Sequence, residues 1–256
     1  MAINALIASD IFNRYPWLSP WQKTGAAILT AWQQQPESLH TCLAEKQAGF
    51  HAVPQNALPS GEAYEAFIYR TRTVPTRNNA HDFFNGLCWM RFPQTKKQLN
   101  RLQALAIQQQ GVQAQRGPLR DALTLFDENA ALLCAPQALW DALQMQDWQS
   151  LFVTHRDLWQ DAQLSLFGHA LLEKLLNPYK GITAHVLCLP VPEEVQAGAD
   201  VALDDWLSHQ LHLNEMQHKP FLPLPVLGVP GWWTPNENAA FYDDTQVFRP
   251  QKKIGY

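Results

Sequence analysis

Prolines divide this chain into short segments, and that division most constrains how it folds. The 256 residues include eighteen prolines and ten tryptophans, both high numbers for this length. Proline lacks a backbone N–H and interrupts helices and strands, so the sequence predicts short elements pinned by large aromatic side chains. With 46% hydrophobic residues, the chain can bury a full core as one large domain or two small ones.

We expect a single globular domain over residues 1–256. Apolar residues at helical spacing predict a helical N-terminal part over residues 1–50. Residues 220–256 are rich in proline, glycine and aromatic residues, which predicts a long irregular tail that wraps the body. Such a tail either seals a pocket or completes the core.

Helix and strand patterns are mixed between these two ends. Residues 80–92 and 94–110 carry apolar stripes at helical spacing, and residues 160–177 have the most regular helical pattern of the chain. Residues 122–134 alternate around Asp-Glu-Asn in the manner of a β-hairpin. Because helices and short strands occur without a βαβ rhythm, the predicted class is α+β, mostly helical with a small mixed sheet.

Positive charge is concentrated in one stretch of the chain. Nine basic residues and one acidic residue, Asp82, lie between Arg70 and Arg120, whereas the whole chain has a formal net charge of −4. The stretch therefore sums to +8 and the remainder to −12. Such segregation indicates a cationic surface with an anionic client, either a ligand or another part of the protein. The pI near 6.1 argues against a general nucleic-acid binder.

The start of the chain and its apolar runs disfavour export and membrane insertion. The opening MAINALIASDIF has no basic region and reaches Asp10 before any long apolar stretch, so it does not resemble a secretory signal. No apolar run approaches the roughly 18 residues that span a bilayer. The four cysteines form no CxxC pair, which fits ordinary thiols in a reducing compartment. We therefore expect a cytoplasmic protein without a membrane partner.

Three common enzyme motifs do not occur in the sequence. The chain has no GxSxG nucleophile elbow, no GxGxxG after a strand, and no GxxxxGKS or GxxxxGKT loop. An α/β-hydrolase, a classical dinucleotide-binding fold and a P-loop enzyme are therefore disfavoured.

The densest polar cluster is TRNNAHDFFN, at residues 76–85. Either Asn78 or Asn79 can cap the helix that follows. The backbone N–H groups of the first turn, His81 and Arg77 then meet at one helix N-terminus. That arrangement favours an anion.

The residues of this cluster receive candidate roles. His81 and Asp82 are candidate catalytic residues for general acid–base work. The candidate substrate-binding residues are Arg77, Asn78 and Asn85. In the alternative interpretation, Asn78 and Asp82 cap the helix and His81 is a hydrogen-bonded, half-buried residue.

A second cluster is RGPLRD, at residues 116–121. Arg116 and Arg120 flank a Gly-Pro turn, and two forked guanidinium groups suit bidentate binding of phosphate or carboxylate. Both are therefore candidate substrate-binding residues. Alternatively, they form ion pairs with the acidic residues that follow at once.

Three carboxylates and a histidine suggest a metal site. His169 and Glu173 are four residues apart and share one face of a predicted helix, while Asp127 and Glu128 lie at the tip of the predicted hairpin. These four are candidate ligands of a divalent metal, and whether a metal binds is left open. The pair is not HExxH, and no spacing sets a third ligand. The alternative is a simple hydrogen bond between His169 and Glu173.

Four segments stand out as a specific set of motifs: VPTRNNAHDFFNGLCWMRFPQTKKQLNRLQ, RGPLRDALTLFDEN, GHALLEKLLNPYKGITAH, and PLPVLGVPGWW through FYDDTQVFRP. Together they resemble a bacterial family, the uncharacterised domain of unknown function 3025 family. The resemblance covers the chain from Tyr15 to Pro250. It implies a soluble bacterial protein, and it carries over no activity and no functional residue.

Two functions of different class fit these patterns. The first is an enzyme that acts on a phosphorylated or other anionic small molecule, with metal-assisted hydrolysis as one form. The second is a non-catalytic binder of nucleic acid or an acidic protein, through a basic helix whose Lys96, Lys97 and Arg101 are expected on the exposed side. The sequence leaves the oligomeric state open.

Geometry separates the two functions. An enzyme needs arginines that converge with His81 in a concave site, whereas a polyanion binder spreads its cations over an open face. Arginine outnumbers lysine in the basic stretch and lies in turns beside His, Asn and Asp. The enzyme is therefore favoured.

Overall fold

A computed structural model describes residues 7–36, 39–44, 50–110, 117–197 and 199–251. In this part of the chain, no helix is both long and apolar enough to cross a membrane. Helices dominate, and two small sheets complete the α+β fold that the sequence predicts.

The described residues contain twelve α-helices, labelled in chain order. They are α1 (Ile11–Arg14), α2 (Gln22–Gln34), α3 (Leu39–Ala44), α4 (Tyr64–Thr71), α5 (Ala80–Arg91), α6 (Pro93–Gln110), α7 (Pro118–Asn129), α8 (Gln137–Gln144), α9 (His169–Lys174), α10 (Glu193–Ala197), α11 (Ala199–Gln210) and α12 (Leu213–Met216). The first three lie within the first 50 residues of the chain. Helices α4, α5, α6, α7 and α9 surround the candidate site.

Six short strands of the described residues form two sheets. They are β1 (His51–Pro54), β2 (Thr73–Thr76), β3 (Ala130–Cys134), β4 (Gln163–Leu166), β5 (Thr183–Leu187) and β6 (Phe221–Pro225). The first sheet pairs β1 with β2 in parallel. The second has the order β4-β3-β5-β6, with β3 antiparallel to β4 and parallel to β5, and with β5 antiparallel to β6. Every residue of β3 is buried, as expected of a strand covered on both faces.

Helices α5 and α6 form where the sequence predicts them. Asn79 has an extended backbone, and its side chain accepts a hydrogen bond from the Asp82 N–H at 2.8 Å, so it is the N-cap of α5. Pro93 begins α6 directly after α5, because proline cannot continue a helix but fits the first turn of a new one. Nine residues of α5 are buried, so this helix runs through the core.

The hairpin predicted over residues 122–134 is wrong. Most of this stretch belongs to helix α7, and only its last five residues form a strand, β3. Pro118 stands in the first turn of α7, and the buried residues of the helix repeat at helical spacing. Asp127 and Glu128 therefore lie in the last turn of an amphipathic helix, not at a hairpin tip.

The long helix predicted over residues 160–177 is also wrong. Strand β4 comes first, and α9 begins only at His169. The backbone N–H groups of Phe167 and Gly168 both donate to the carbonyl of Ala130, at 3.0 and 2.9 Å. A side chain at Gly168 would meet the backbone at the end of α7. Glycine at this position therefore lets α9 start directly against α7.

One contiguous cluster of buried apolar side chains links the elements. The predicted irregular tail starts with a regular strand, β6, and continues as short 3₁₀ turns at Val226–Gly228, Thr234–Glu237 and Ala239–Asp243. Phe248 is buried in the core. The buried amide of Asn236 donates to the carbonyl groups of Leu227 and Val229 at 2.8 Å each. These contacts fix the segment after β6 on the core.

Candidate functional site

The end of α7, the start of α5 and the start of α9 meet at one polar pocket. The pocket has a volume of about 500 Å³, and α4 and α6 line its other sides. The predicted site residues that line it are Arg77, His81, Asp82, Asn85, Arg120, Asp127, Glu128 and His169. Residues from distant parts of the sequence thus share one concave site, which is the geometry that an enzyme needs.

Two histidines face each other at the wall of this pocket. The Nε2 atoms of His81 and His169 are 3.0 Å apart, and the ring planes meet at 79°. His81 Nδ1 lies 2.9 Å from Glu173 Oε2, and His169 Nδ1 lies 2.8 Å from the backbone oxygen of Asp127. A chain of three hydrogen bonds therefore runs from Glu173 through both rings to α7.

The acceptors at the two ends of this chain fix which ring nitrogens carry protons. The carbonyl of Asp127 can only accept a hydrogen bond, so the proton of the His169 ring is on Nδ1. The Nε2 atom of His169 then carries a lone pair and can accept. The contact between the two Nε2 atoms then requires a proton from His81. His81 also donates from Nδ1 to the carboxylate of Glu173. In this arrangement both ring nitrogens of His81 act as donors, one towards His169 and one towards the carboxylate of Glu173.

Burial keeps His169 neutral. The residue is 5% exposed, and desolvation lowers the pKa of its imidazole from 6.5 to about 4, although the charge of Asp127 opposes the shift. His81 is more open, with 31% of its side chain exposed. The pair thus combines a buried, neutral imidazole with a more accessible one.

A buried ion pair lies next to the histidines. Lys96 Nζ is 2.5 Å from Asp127 Oδ1 and 2.8 Å from Asn85 Oδ1. The side chains of Lys96 and Asp127 are 4% and 16% exposed. Burial alone would raise the pKa of the Asp127 carboxyl, but the neighbouring positive charges, first that of Lys96, outweigh burial and lower it. The pair places an ammonium group at the pocket and ties α6 to the end of α7.

Arg77 and Asp82 form a second ion pair at the start of α5. The Asp82 carboxylate accepts from the guanidinium of Arg77 at 2.8 and 3.1 Å and from the Arg77 backbone N–H at 2.6 Å. The hydrogen bond to Asp82 raises the pKa of Arg77. Because Asp82 is buried and both of its oxygens are occupied, it fixes the loop before α5 and so positions the adjacent His81.

The opposite wall is formed by α4 and α6. The hydroxyl of Tyr64 donates to the carbonyl of Pro75 at 3.3 Å and accepts from the amide of Asn85 at 3.4 Å. Burial, with the nearby carboxylates, raises the pKa of Tyr64 well above its ordinary value, so the hydroxyl keeps its proton. Asn100 donates to the backbone and side-chain oxygens of Glu65 at 2.9 and 2.7 Å. This wall is therefore pre-arranged by hydrogen bonds.

Two of the described predicted residues, Asn78 and Glu173, do not line the pocket. Asn78 Oδ1 accepts from the backbone N–H of Leu39 at 3.0 Å, so it ties α3 to the loop before α5. Glu173 lies behind His81 and orients that ring. Arg116 lies outside the described residues.

The four predicted metal ligands are not gathered at one point. In the described ranges, no group of three or more His, Cys, Asp or Glu side chains is placed to hold a metal ion. His169 and Glu173 are both on α9, but each contacts His81 instead of the other. The carboxylate of Asp127 is bound to Lys96.

Lys96 is not on the exposed side of α6, where the sequence predicts it. Lys96 and Asn100 are each 3% exposed, and Gln103 is 5% exposed. Helix α6 packs against α4, α7 and α11, so it is covered on more than one face. These three polar residues recur at helical spacing and form a second stripe beside the apolar one. That spacing is the sequence signal that could have indicated their burial.

Lys97 and Arg101 lie in a separate, open groove. Arg72, His209 and His212 line the same groove, and no described acidic residue does. The basic stretch of the sequence is thus split between two sites. One part contributes to the polar pocket, and the other lines this surface groove.

A known protein family matches this chain. A family model described as a protein of unknown function, DUF3025, matches residues 50–252. The chain belongs to this family. The DUF3025 match covers most of the chain and every residue of the pocket, and it confirms the resemblance seen in the sequence motifs. A search of curated proteins finds no match, and a search of solved structures also finds none.

Proposed function

We propose that this protein is a hydrolytic enzyme of the general acid–base type that acts on a small anionic molecule. The proposal is carried by the 3.0 Å contact between the Nε2 atoms of His81 and His169 at the wall of the pocket. An acceptor holds the Nδ1 of each ring. Both Nε2 atoms therefore face one place, where a reacting group can bind.

The histidine pair supplies both a base and an acid. A water molecule that binds in the pocket beside the two Nε2 atoms loses a proton to the neutral Nε2 of His169, and its oxygen attacks the substrate. The bond to the leaving group breaks as His81 Nε2 donates its proton to the leaving atom. The proton on His169 Nε2 then passes to His81 across the direct contact, so the pair ends as it began.

The residues around the pair support this step. The carboxylate of Glu173 orients His81 and stabilises its positive charge. The ammonium of Lys96 provides positive charge close to where negative charge develops in the transition state. In this proposal Asp82, a candidate catalytic residue in the sequence, acts as a positioning residue, because Arg77 occupies both of its oxygens.

Nitrogen-15 NMR of the imidazole rings tests the proton arrangement without a substrate. At neutral pH we expect His169 as the neutral Nδ1–H tautomer and His81 as the imidazolium. Spectra of His81→Gln and His169→Gln assign the signals. A neutral His169 with its proton on Nε2 would contradict the proposal.

A panel of chromogenic carboxylic esters, phosphate esters and amides, each with an anionic group, tests activity. His81→Gln and His169→Gln should each lower kcat/KM by at least about 100-fold, whereas His218→Gln, which changes an exposed histidine, should match the wild type. Wild-type rates in both pocket variants would refute the proposal. Parallel assays with EDTA and with added Mn²⁺ measure any contribution of a divalent metal, the open alternative from the sequence.

The open groove supports a second candidate function, binding of single-stranded nucleic acid. The guanidinium of Arg72 lies 5.1 Å from the ring centre of Tyr69, which is 36% exposed, and cations beside an exposed aromatic ring suit a single strand. Fluorescence anisotropy with a labelled oligothymidine tests this function. Binding should weaken with salt and be lost in Lys97→Glu/Arg101→Glu; equal binding by the double variant would reject it.

A further inference from the structure

Helices α6 and α7 run antiparallel along the polar pocket. Lys96, near the start of α6, pairs with Asp127, near the end of α7. Ile107, near the end of α6, and Arg120, near the start of α7, line the same pocket. The pocket is therefore an elongated groove. The histidine pair and the Lys96–Asp127 pair form its reacting end, and Arg120 with Ile107 forms its arginine end.

On α6 and α7, the lining between these ends is uncharged. There α6 contributes Leu99, Asn100, Gln103 and Ile107, and α7 contributes Thr124 before Arg120 is reached. The carboxylate of Glu65, on α4, also lines the pocket and accepts from the amide of Asn100 at 2.7 Å. Neutral side chains such as those of α6 and α7 suit an apolar or hydrogen-bonding segment of a ligand. The groove thus offers the charged contact of Arg120 at its far end and neutral contacts along the wall formed by α6 and α7.

Arg120 differs from the other cations of the groove. Arg77 and Lys96 are each bound to a carboxylate. The Nε atom of Arg120 is buried and has no hydrogen-bond partner among the described residues. A buried donor without an acceptor is unfavourable, and a ligand group that enters the groove can supply that acceptor. Arg120 and Asp127 are seven residues apart on α7, which corresponds to about 10 Å along the helix axis.

We infer that Arg120 binds a carboxylate of the substrate, at the end of the groove opposite the bond that is hydrolysed. The inference rests on the proposed function for what happens at the reacting end. A planar guanidinium binds a carboxylate through two parallel hydrogen bonds. The substrate class is an elongated molecule with a carboxylate at one end and the scissile bond near the other.

A single negative charge fits this end better than a phosphate dianion. One guanidinium lines it, and the other arginine and the lysine of the groove are already ion-paired. Glu128 also lines the pocket, but at the other end of α7 from Arg120. A dianion would therefore keep one uncompensated negative charge at the arginine end, whereas a monoanion is neutralised by Arg120 alone.

Binding of straight-chain carboxylates tests the arginine end without turnover. Isothermal titration with octanoate, acetate and octanamide compares a long anion, a short anion and a long neutral amide. Octanoate should bind most tightly, because it contacts Arg120 and fills the neutral middle of the groove. Arg120→Ala should weaken octanoate binding by at least about tenfold. Arg14→Ala, which removes an exposed arginine paired with Asp10, should bind octanoate as the wild type does.

Conservative variants keep the test valid if Arg120→Ala folds poorly. Arg120→Lys keeps the charge without the fork and should recover part of the affinity, whereas Arg120→Gln should not. Circular dichroism of each variant confirms folding. The inference is overturned if the wild type does not bind octanoate at millimolar concentration, if octanamide binds as tightly, or if octyl phosphate binds much more tightly. Unchanged octanoate affinity in folded Arg120 variants also overturns it.

Different measurements test the carboxylate site and the proposed function, so one can be wrong while the other holds. His81→Gln should lower kcat/KM by at least about 100-fold but leave octanoate affinity unchanged, and Arg120→Ala should leave the imidazole tautomers unchanged. If the tautomers differ from expectation while Arg120→Ala still weakens octanoate binding, the hydrolytic mechanism is wrong and the carboxylate site stands. If the tautomers are as expected and Arg120 has no effect, the carboxylate site is wrong.

Discussion

Lys96→Met removes the counter-ion of Asp127 while it keeps an unbranched side chain of similar length. In the folded protein the two side chains are 4% and 16% exposed, and Lys96 Nζ lies 2.5 Å from Asp127 Oδ1. Lys96 also donates to Asn85 at 2.8 Å. The substitution therefore leaves both a largely buried carboxylate and an amide oxygen without their donor.

The expected loss follows from this burial. Removing one partner of a buried ion pair costs about 3–5 kcal/mol, because the remaining charge stays desolvated. That is a large share of the roughly 5–15 kcal/mol that stabilises a typical domain. Lys96→Met/Asp127→Leu removes both charges, so it should recover most of the loss, with a coupling of at least about 2 kcal/mol.

Urea denaturation followed by fluorescence measures these free energies of unfolding. Lys97→Met is the matched control, because the adjacent Lys97 lines the open groove, and it should cost less than about 0.5 kcal/mol. The difference in free energy of unfolding between the wild type and Lys96→Met should decrease as the pH falls, because a protonated Asp127 needs no counter-ion. A loss below about 1 kcal/mol, or equal losses in both lysine variants, would refute the buried ion pair.

Three further outcomes are expected. The pKa of His169 falls from 6.5 to about 4 in the folded protein, so the unfolded state takes up the proton first as the pH falls. The free energy of unfolding should therefore decrease by about 3 kcal/mol between pH 6.5 and 4. A urea denaturation series in which His169→Asn shows the same pH dependence as the wild type would contradict this. Gly168→Ala should lower the free energy of unfolding by at least about 2 kcal/mol, since the new methyl group meets the backbone of α7; a wild-type melting temperature would contradict the close approach. In a thiol titration of the native protein, exposed Cys188 should react and Cys88, which is buried with its thiol pKa raised to about 12, should not; rapid labelling of Cys88 in Cys188→Ser would show that its site is open.

Local signals predicted part of the fold. Asn79 as a cap and Pro93 as a boundary define α5 and α6, because caps and prolines act within one turn of the chain. Helix α7 was mistaken for a hairpin, since the apolar residues of ALTLF fit both an alternating and a helical pattern. Two features favour the helix: Pro118 in its first turn after Gly117, and buried residues that recur at helical spacing.

The candidate site was predicted only in its parts. His81, Asp127 and His169 were each selected as chemically able residues, but His81 and His169 are 88 residues apart and no spacing rule joins them. Their contact depends on the packing of α5 against α9, which is a tertiary event. The sequence predicts Lys96 on the exposed side of α6, because a lysine on a helix is ordinarily solvated. Its burial depends on coverage of α6 by other helices.

The two ends of the groove are held in place by different contacts. The β3–β4 pairing and the carbonyl of Ala130 hold the end that contains His169. The carbonyl accepts two backbone hydrogen bonds from the chain that leads into α9, so the position of His169 relative to the end of α7 is set by main-chain contacts that side-chain substitution leaves intact. Arg120, two turns away, has no such tie. If the proposed function and the carboxylate site hold, sequence change near the first turn of α7 would alter which molecules bind and would leave the contact between the two histidines intact.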